Sequence, residues 1–337
     1  MKPYEYFARR IILLIPVLIG VSIMTFSISR VVPGDPVRAM VGMDASKEVI
    51  DNIKRKYGFD KPLPEQYFIY MWGLLRGDMG LSIRSRRPVL DDVKTYLPAT
   101  FELAFVALLL SSLIGIPLGV VSAVRQDKAV DHITRILALI GVSAPSFWLG
   151  LLVQLLFYRK LGWLPYGARI DSVIGPPKTI TTSYLLDSLL TANIPAFISS
   201  LKHIAMPAFV LAYGGLASVT RLQRASMLEV IRKDYITVAR AKGLSERRVV
   251  YVHALRNALI PVITIIGLRF GWMLGGSFIV EFIFNWPGLG YYGTTAITTL
   301  DFNAIMGVTL ILTVSYLVVN LIVDVIYIFV DPRIQYG

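Results

Sequence analysis

Long uncharged stretches recur along this chain, and they constrain its fold more than any other feature. A membrane-spanning helix needs about 20 mainly apolar residues to cross a hydrocarbon core about 30 Å thick. The stretches without any charged residue are Ile11–Ser29, Leu103–Val124, Ile136–Tyr158, Ile204–Thr220 and Phe302–Val323. A further apolar stretch, Asn257–Phe284, is interrupted by Arg269 and Glu281. The pattern predicts an all-α polytopic membrane protein with six transmembrane helices.

The composition agrees with a membrane protein and argues against a soluble domain. Hydrophobic residues make up 55% of the chain and charged residues 17%, whereas a soluble domain is roughly 45–50% apolar and about 25% charged. The formal net charge is +12, which basic loops retained on the cytoplasmic side explain directly. We therefore expect a multi-pass protein of the cell (plasma or inner) membrane, surrounded by the lipid bilayer and without a nucleic-acid partner.

Motifs for catalysis, cofactors and metals are missing from the sequence. Cysteine is absent, and the histidines His132, His203 and His253 do not have the spacing of metal ligands. No Gly-Lys dipeptide, G-x-S-x-G or H-E-x-x-H pattern occurs. We predict that the chain is not an enzyme and that it holds no cofactor or metal of its own.

Basic residues orient the predicted helices. The connection Arg221–Arg256 contains nine Lys and Arg against three Asp and Glu, whereas Asn285–Asp301 contains no Lys or Arg. Short loops rich in Lys and Arg stay cytoplasmic, so the N- and C-termini are both predicted to be cytoplasmic. The first apolar run is longer than a signal-peptide core and no cleavage site follows it, which predicts a retained helix.

The segment Thr179–Leu201 is also moderately apolar, but it carries Asp187, Pro195 and several hydroxyl groups. If it spanned the membrane, the basic connection Arg221–Arg256 would face outward, against the positive-inside rule. We therefore predict an external or partly inserted helix here, and the sequence leaves open whether it enters the membrane.

The connection from Val32 to Pro98 is predicted to be a large external loop of 67 residues between the first two helices. Its 11 Lys and Arg residues do not oppose this orientation, because segments longer than about 60 residues translocate regardless of charge. Ser46 and Gly58 are placed to begin and end one helix, and a second is predicted to begin near Pro64. The loop is either a packed cap or a docking surface for another protein.

The connection Arg221–Arg256 has the pattern of a helix, a sharp corner and a second helix. From Arg224 to Lys242, apolar residues recur at spacings of three and four, which predicts one amphipathic helix whose apolar face contains Met227, Val230, Ile231, Tyr235 and Val238. Gly243 is able to take the left-handed conformation that ends a helix, and Ser245 is placed to cap the next one. The first helix is either a lever that needs a partner groove or an element lying among lipid headgroups.

Several motifs resemble one known family, in the same order along nearly the whole chain. The segment TVARAKGLSERRVVYVHALRNALIP, residues 237–261, is similar to the EAA loop of binding-protein-dependent ABC transporter permeases, most of all the branch that imports dipeptides, oligopeptides and nickel. Ala239 matches the small residue four before the glycine of that pattern, Gly243, while Thr237 replaces the usual glutamate. The other matching motifs are PGDP (Pro33–Pro36), GDMGLS (Gly77–Ser82), LPAT (Leu97–Thr100), PSFWLG (Pro145–Gly150), WPGLG (Trp286–Gly290) and DPR (Asp331–Arg333).

The resemblance implies the permease subunit of an ATP-driven importer, which forms half of a translocation pathway for peptides. The implied partners are a second homologous permease subunit, two ATP-binding subunits that hold and hydrolyse the ATP, and an external substrate-binding protein. The implied ATPase-coupling residues are Ala239, Ala241, Gly243, Leu244 and Ser245. Residues 1–98 would then form the first helix and the external loop, and residues 99–331 a five-helix core with its EAA-type coupling loop at 221–256.

Charged residues within the predicted helices need a partner or a function, because charge is costly inside a bilayer. Arg269 lies about 18 Å from Asn257 along its helix, at 1.5 Å per residue. It is either a structural charge, including one paired with an acid of the partner permease, or a pathway residue that attracts a substrate carboxylate. Related permeases often carry glutamine here, so this chain departs from the family pattern. Glu102 and Glu281, near helix ends, are predicted to reach water or headgroups.

A secondary transporter driven by an ion gradient is the rival class. Such proteins often show paired repeats and intramembrane acids that bind the coupling ion. The sequence has no detected repeat, and Asp324 is the one acid well inside a predicted helix. Within the importer class, nickel and oligosaccharides are alternative substrates to peptides, and no residue discriminates between them.

Overall fold

Helices form nearly all the regular structure of the computed structural model, which describes residues 3–31, 46–58 and 60–330. In chain order they are α1 (Pro3–Val31), α2 (Lys47–Tyr57), α3 (Leu63–Leu75), α4 (Val89–Val124), α5 (Ala129–Ser143), α6 (Ser146–Val153), α7 (Tyr184–Leu190), α8 (Ile194–Ile231), α9 (Asp234–Ala241), α10 (Glu246–Ala258), α11 (Ile260–Gly276), α12 (Phe278–Ile283), α13 (Leu289–Thr298) and α14 (Phe302–Val330). α6 continues as a π-helical stretch, Gln154–Lys160, and the middle of α10, Val249–Ala254, is also π-helical. Among the described residues β-pairing is limited to an isolated bridge between Leu81 and Pro88, which confirms the all-α class.

Four helices are individually long and apolar enough to cross a membrane. They are Arg10–Arg30 within α1, the whole of α4, the whole of α8, and Phe302–Val325 within α14. Two helix pairs meet the same criterion only when taken together: Ala129–Gly141 with Ser146–Lys160, bent by 104°, and α10 with α11, bent by 52°. The described part of the chain thus contains four to six candidate spans, as a polytopic membrane protein requires.

Two helices that the sequence predicts as continuous are broken in the structure. The predicted span Ile136–Tyr158 is interrupted at Ala144, which adopts an extended conformation because the following Pro145 disfavours a helical residue before it. The single helix predicted over Thr179–Leu201 is also wrong, since α7 has seven residues and α8 starts afresh at Ile194. The side chain of Asn193 accepts a hydrogen bond from the backbone N–H of Ala196 and so caps α8.

The chain divides into two compact units, Met1–Thr100 with Pro287–Leu317, and Phe101–Trp286 with Val318–Gly337. In the first unit Ser46 caps α2 and Gly58 ends it at φ 68°, as predicted. The predicted second helix is α3. The motifs PGDP and DPR, the two chain ends and part of the external loop lie outside the described residues.

Three of the family-like motifs contribute hydrogen bonds within the first unit. The side chain of Asp301 accepts hydrogen bonds from Ser82 Oγ at 2.6 Å and from the backbone N–H of Ile83 at 2.8 Å, so it holds the end of the GDMGLS turn. The backbone N–H of Leu289, in WPGLG, donates to Oγ1 of Thr100, in LPAT, at 2.8 Å. Buried hydroxyl and carboxylate groups thus satisfy backbone N–H groups of a turn and of a helix start that packing alone would leave unpaired.

In the second unit a buried ion pair ties α4 to the connection before α7. Nη2 of Arg169 lies 2.6 Å from Oε2 of Glu102, and the two side chains are 8% and 3% exposed. The other carboxylate oxygen of Glu102 accepts hydrogen bonds from Ser183 Oγ and from the backbone N–H of Leu185. The prediction that Glu102 reaches water is therefore wrong. It is also wrong for Glu281, which is fully buried and accepts a hydrogen bond from Ser277.

A second buried carboxylate organises the same connection. Asp187 is 1% exposed and accepts hydrogen bonds from the backbone N–H groups of Ile180, Thr181 and Thr182 and from the Thr181 hydroxyl. Burial opposes ionisation of this carboxyl, but the hydrogen bonds outweigh it and lower the pKa of Asp187. We call Glu102, Arg169, Ser183 and Asp187 together the Glu102 latch.

Candidate functional site

The basic corner, residues 232–248, joins α8 to α10, and its path differs from the prediction. The sequence predicts one helix from Arg224 to Lys242, but α8 ends at Ile231 and a separate α9 begins at Asp234. Met227 and Ile236 are nine positions apart, which places them on opposite faces of a continuous helix at 3.6 residues per turn. Both are fully buried in the same apolar cluster, so the backbone has to change direction between them.

The buried face of α9 lies one residue away from the predicted one. Ile236 and Ala239 are 0% and 8% exposed, whereas the predicted apolar residues Tyr235 and Val238 are 43% and 51% exposed. Ile236 and Ala239 pack into the cluster that also contains Val120, Ala123, Met227, Val249, Val250, Ala254 and Ala258. Helix α9 is therefore anchored on one side and presents two large apolar side chains on the other.

Gly243 ends α9 as the sequence predicts. It has φ 77°, its N–H donates to the carbonyl of Arg240 at 2.9 Å, and the N–H of Leu244 donates to that of Ala239 at 3.4 Å. This pair of bonds is a Schellman motif, which is completed by an apolar contact of the residue after the glycine. Leu244 makes that contact by packing against the buried cluster. A Cβ at Gly243 would meet no atom within 4 Å, so the need for glycine is conformational.

The remaining predicted coupling residues lie on the surface of the corner. Ala241 is exposed, and so is Ser245, which occupies the N-cap position of α10 but makes no capping bond through its side chain.

Sequence reasoning missed the ion pair across the turn, in which Arg240 donates two hydrogen bonds to Glu246 at 2.6 and 3.0 Å. Their separation of six residues is not a helical spacing, so no periodic signal predicts it. The hydrogen bonds to Glu246 raise the pKa of Arg240.

The corner also carries basic side chains without acidic partners. Arg232, Lys242, Arg247 and Arg248 are exposed. None of these four forms an ion pair with a residue that the structure describes. The corner therefore combines a rigid turn, exposed apolar residues and uncompensated positive charge, which are the properties of a surface that receives another protein.

Arg269 lies away from the corner, beside a cavity of about 250 Å³ within the second unit. Its Nη2 donates to the hydroxyl of Ser218 at 2.8 Å, and the guanidinium carbon lies 5.8 Å from the ring centre of Trp272. It forms no ion pair with any carboxylate among the described residues. The described part of the chain contains no group of three or more His, Cys, Asp and Glu side chains that could hold a metal ion.

Comparison with known proteins decides the family. The model for the binding-protein-dependent transport system inner membrane component matches residues 115–336, and the N-terminal model for the membrane component of such systems matches residues 4–104. The chain belongs to this family. A binding-protein-dependent inner membrane component resides in the membrane as a permease, in agreement with the candidate spans of the fold.

Relatives within the family match almost end to end. The chain is 47% identical to the probable D,D-dipeptide transport system permease protein DdpB of Escherichia coli, with 96% of this chain and 95% of the relative covered. It is 41% identical to the dipeptide transport system permease protein DppB of Alkalihalophilus pseudofirmus, with 98% and 99% covered. It is 39% identical to the oligopeptide transport system permease protein AppB of Bacillus subtilis, also with 98% and 99% covered.

Proposed function

We propose that this chain is the permease subunit of an ATP-driven importer and forms half of the translocation pathway for dipeptides or oligopeptides. An external binding protein delivers the peptide, a second homologous permease completes the pathway, and two separate ATPase subunits bind and hydrolyse ATP. The names of the relatives, which are dipeptide, D,D-dipeptide and oligopeptide permeases, support a peptide substrate over nickel or an oligosaccharide. The chain itself carries no catalytic step.

The topology that goes with this function has six spans with both chain ends in the cytoplasm. The two bent helix pairs then count as single spans, and the loop between α1 and α4 faces the delivery protein. The strong excess of Lys and Arg in residues 221–256 supports the cytoplasmic position of the basic corner. Residues 1–98 then comprise the first transmembrane helix and the external loop, and residues 99–331 the five-helix transport core with its coupling loop at 221–256.

The observation that carries the proposal is the geometry of the basic corner. Helix α9 has one buried face and one exposed face with Tyr235 and Val238, and the left-handed turn at Gly243 sets its angle to α10. A short helix held in this way can occupy a groove on an ATPase and pass the closure of the ATPase pair to α10 and α11. We assign contact with the ATPase to Ala241 and Ser245, and anchoring of the helix to Ala239, Gly243 and Leu244.

Substitution of Gly243 tests this coupling role. Gly243→Val is expected to abolish ATP-dependent peptide uptake, because a β-branched residue is strongly disfavoured at positive φ. Gly243→Asn is the matched control, since asparagine tolerates the left-handed conformation, and it should retain most of the uptake. Both variants are to be measured in the assembled importer, by uptake in proteoliposomes and by ATP hydrolysis.

Two results would contradict the proposal. Normal uptake by Gly243→Val, with a normally assembled complex, would remove the coupling role of the corner. Uptake that persists without ATP and collapses when an uncoupler dissipates the ion gradient would instead identify a secondary transporter.

A further inference from the structure

Two neighbouring cavities follow the groove between α5 and α8, and both contain arginine side chains. The first, of about 250 Å³, is lined by Gly141 of α5, Ser218 of α8 and Arg269. The second, of about 480 Å³, is lined by His132, Arg135, Ile136 and Leu139 of α5 and by Arg221 and Arg224 of α8. Because Ser218 and Arg221 are three positions apart, they lie on the same face of α8, about one turn from each other.

The positive charge in this groove is mostly uncompensated. Arg224 is neutralised by Asp131, to which it donates two hydrogen bonds of 2.7 Å each. Arg135, Arg221 and Arg269 have no carboxylate partner among the residues that the structure describes. The groove thus holds four arginines and one acid among the described residues, and because that acid pairs with Arg224, three positive charges are left without an internal counter-charge.

The environment of Arg269 indicates which group would supply that charge. A guanidinium has five N–H donors, and for Arg269 the one described acceptor is the hydroxyl of Ser218. That hydroxyl donates its own proton to the carbonyl of Gly214 at 3.1 Å, so it is available to Arg269 purely as an acceptor. The remaining donors suit the two oxygens of a carboxylate, which an arginine can bind in a bidentate manner.

We infer that this groove binds a side-chain carboxylate of the transported molecule and that Arg269 thereby favours acidic cargo over basic cargo. The inference rests on the proposed function and adds a substrate preference to it. An anionic lipid is the competing occupant of the second cavity, since Ile136 and Leu139 are 58% and 63% exposed and would suit acyl chains. The position of Arg269 favours cargo over lipid as the occupant, because this residue lies well inside a predicted span. A lipid phosphate stays near the membrane surface.

The test uses the complete importer in proteoliposomes, with the peptides Ala-Glu-Ala and Ala-Lys-Ala presented at saturation on the delivery protein. The measured quantity is the ratio of their uptake rates. Arg269→Gln is expected to lower the acidic-to-basic ratio about tenfold, the effect of losing one charge-assisted hydrogen bond. Arg269→Lys should keep most of the preference, and Arg135→Gln with Arg221→Gln should lower it by a smaller factor.

The control is Arg159→Gln, the same chemical change at an exposed residue outside the groove, and it should leave the ratio unchanged. An equal loss of uptake for both peptides in Arg269→Gln would indicate a structural role and overturn the inference. The inference would also be overturned if the variant with Arg135→Gln and Arg221→Gln lost uptake in proportion to the phosphatidylglycerol content of the vesicles while the acidic-to-basic uptake ratio stayed the same. Absence of ATP-dependent uptake of either peptide by the wild-type importer would instead refute the proposed function.

Discussion

In the Glu102 latch both members of an ion pair are buried, whereas in the basic corner the Arg240–Glu246 pair lies in solvent. The side chains of Glu102 and Arg169 are 3% and 8% exposed, and those of Arg240 and Glu246 are 41% and 56% exposed. The nitrogen–oxygen distance is 2.6 Å in both pairs. Distance alone therefore does not distinguish the two regions, but burial does.

The difference shows two ways of using charge in one compact unit. The latch saturates its carboxylates with hydrogen bonds from the connection before α7 and from the first turn of α7, which fixes that connection against α4. The corner obtains its rigidity from apolar anchors and one left-handed glycine, and most of its basic side chains form no ion pair with a residue that the structure describes. The latch orders the fold internally, whereas we propose that the corner contacts another molecule.

Breaking the latch should produce the largest loss of stability. Glu102→Leu leaves the Arg169 guanidinium buried without its carboxylate, which typically costs about 3–5 kcal/mol. Denaturant unfolding of the purified protein in detergent measures the change. The matched control is Glu246→Leu, which breaks an exposed pair of the same length and should cost no more than about 1 kcal/mol. Equal losses of unfolding free energy in the two variants would contradict the expected difference between the buried and the exposed ion pair.

The anchor of the corner should give the next largest effect. Ile236→Ala removes a fully buried side chain and should lower the unfolding free energy by about 2–5 kcal/mol. Val238→Ala, two residues away and 51% exposed, should change it by at most about 0.5 kcal/mol. If Val238 contacts the ATPase, the second variant lowers ATP-dependent uptake while keeping stability. A stable, fully active Val238→Ala importer would remove Val238 from the contact surface.

Of the three substituted sites, Asp187 should contribute least to the unfolding free energy, and its contribution should depend on pH. Asp187→Asn weakens the hydrogen bonds from Ile180, Thr181 and Thr182, at a cost of about 1–3 kcal/mol near neutral pH. Because the folded-state pKa of Asp187 lies below its unfolded value of about 3.9, its contribution is complete above that value and is lost as the pH falls through the folded pKa. The stabilities of the two proteins should therefore converge in acid. Parallel curves down to pH 2 would contradict this role.

Hydrophobic patterning predicts the class of this fold well, because a bilayer requires long apolar helices with internal hydrogen bonding. The stretches Ile11–Ser29, Leu103–Val124 and Phe302–Val323 each lie inside one long helix of the structure. Local rules also identify the ends of α2 and the turn at Gly243, since these depend on a few neighbouring residues. The family resemblance of the corner, read from short motifs, agrees with the matching family models.

Contacts between residues far apart in the chain are not encoded in such periodicities. The buried pair of Glu102 and Arg169 spans 67 positions, and neither its burial nor its partner follows from the local pattern. The same holds for the break between α8 and α9, which arises because Met227 and Ile236 both pack into one cluster. Sequence patterns therefore determine which segments are helical and where glycine turns them, while packing determines where α8 and α9 separate and which charges are buried.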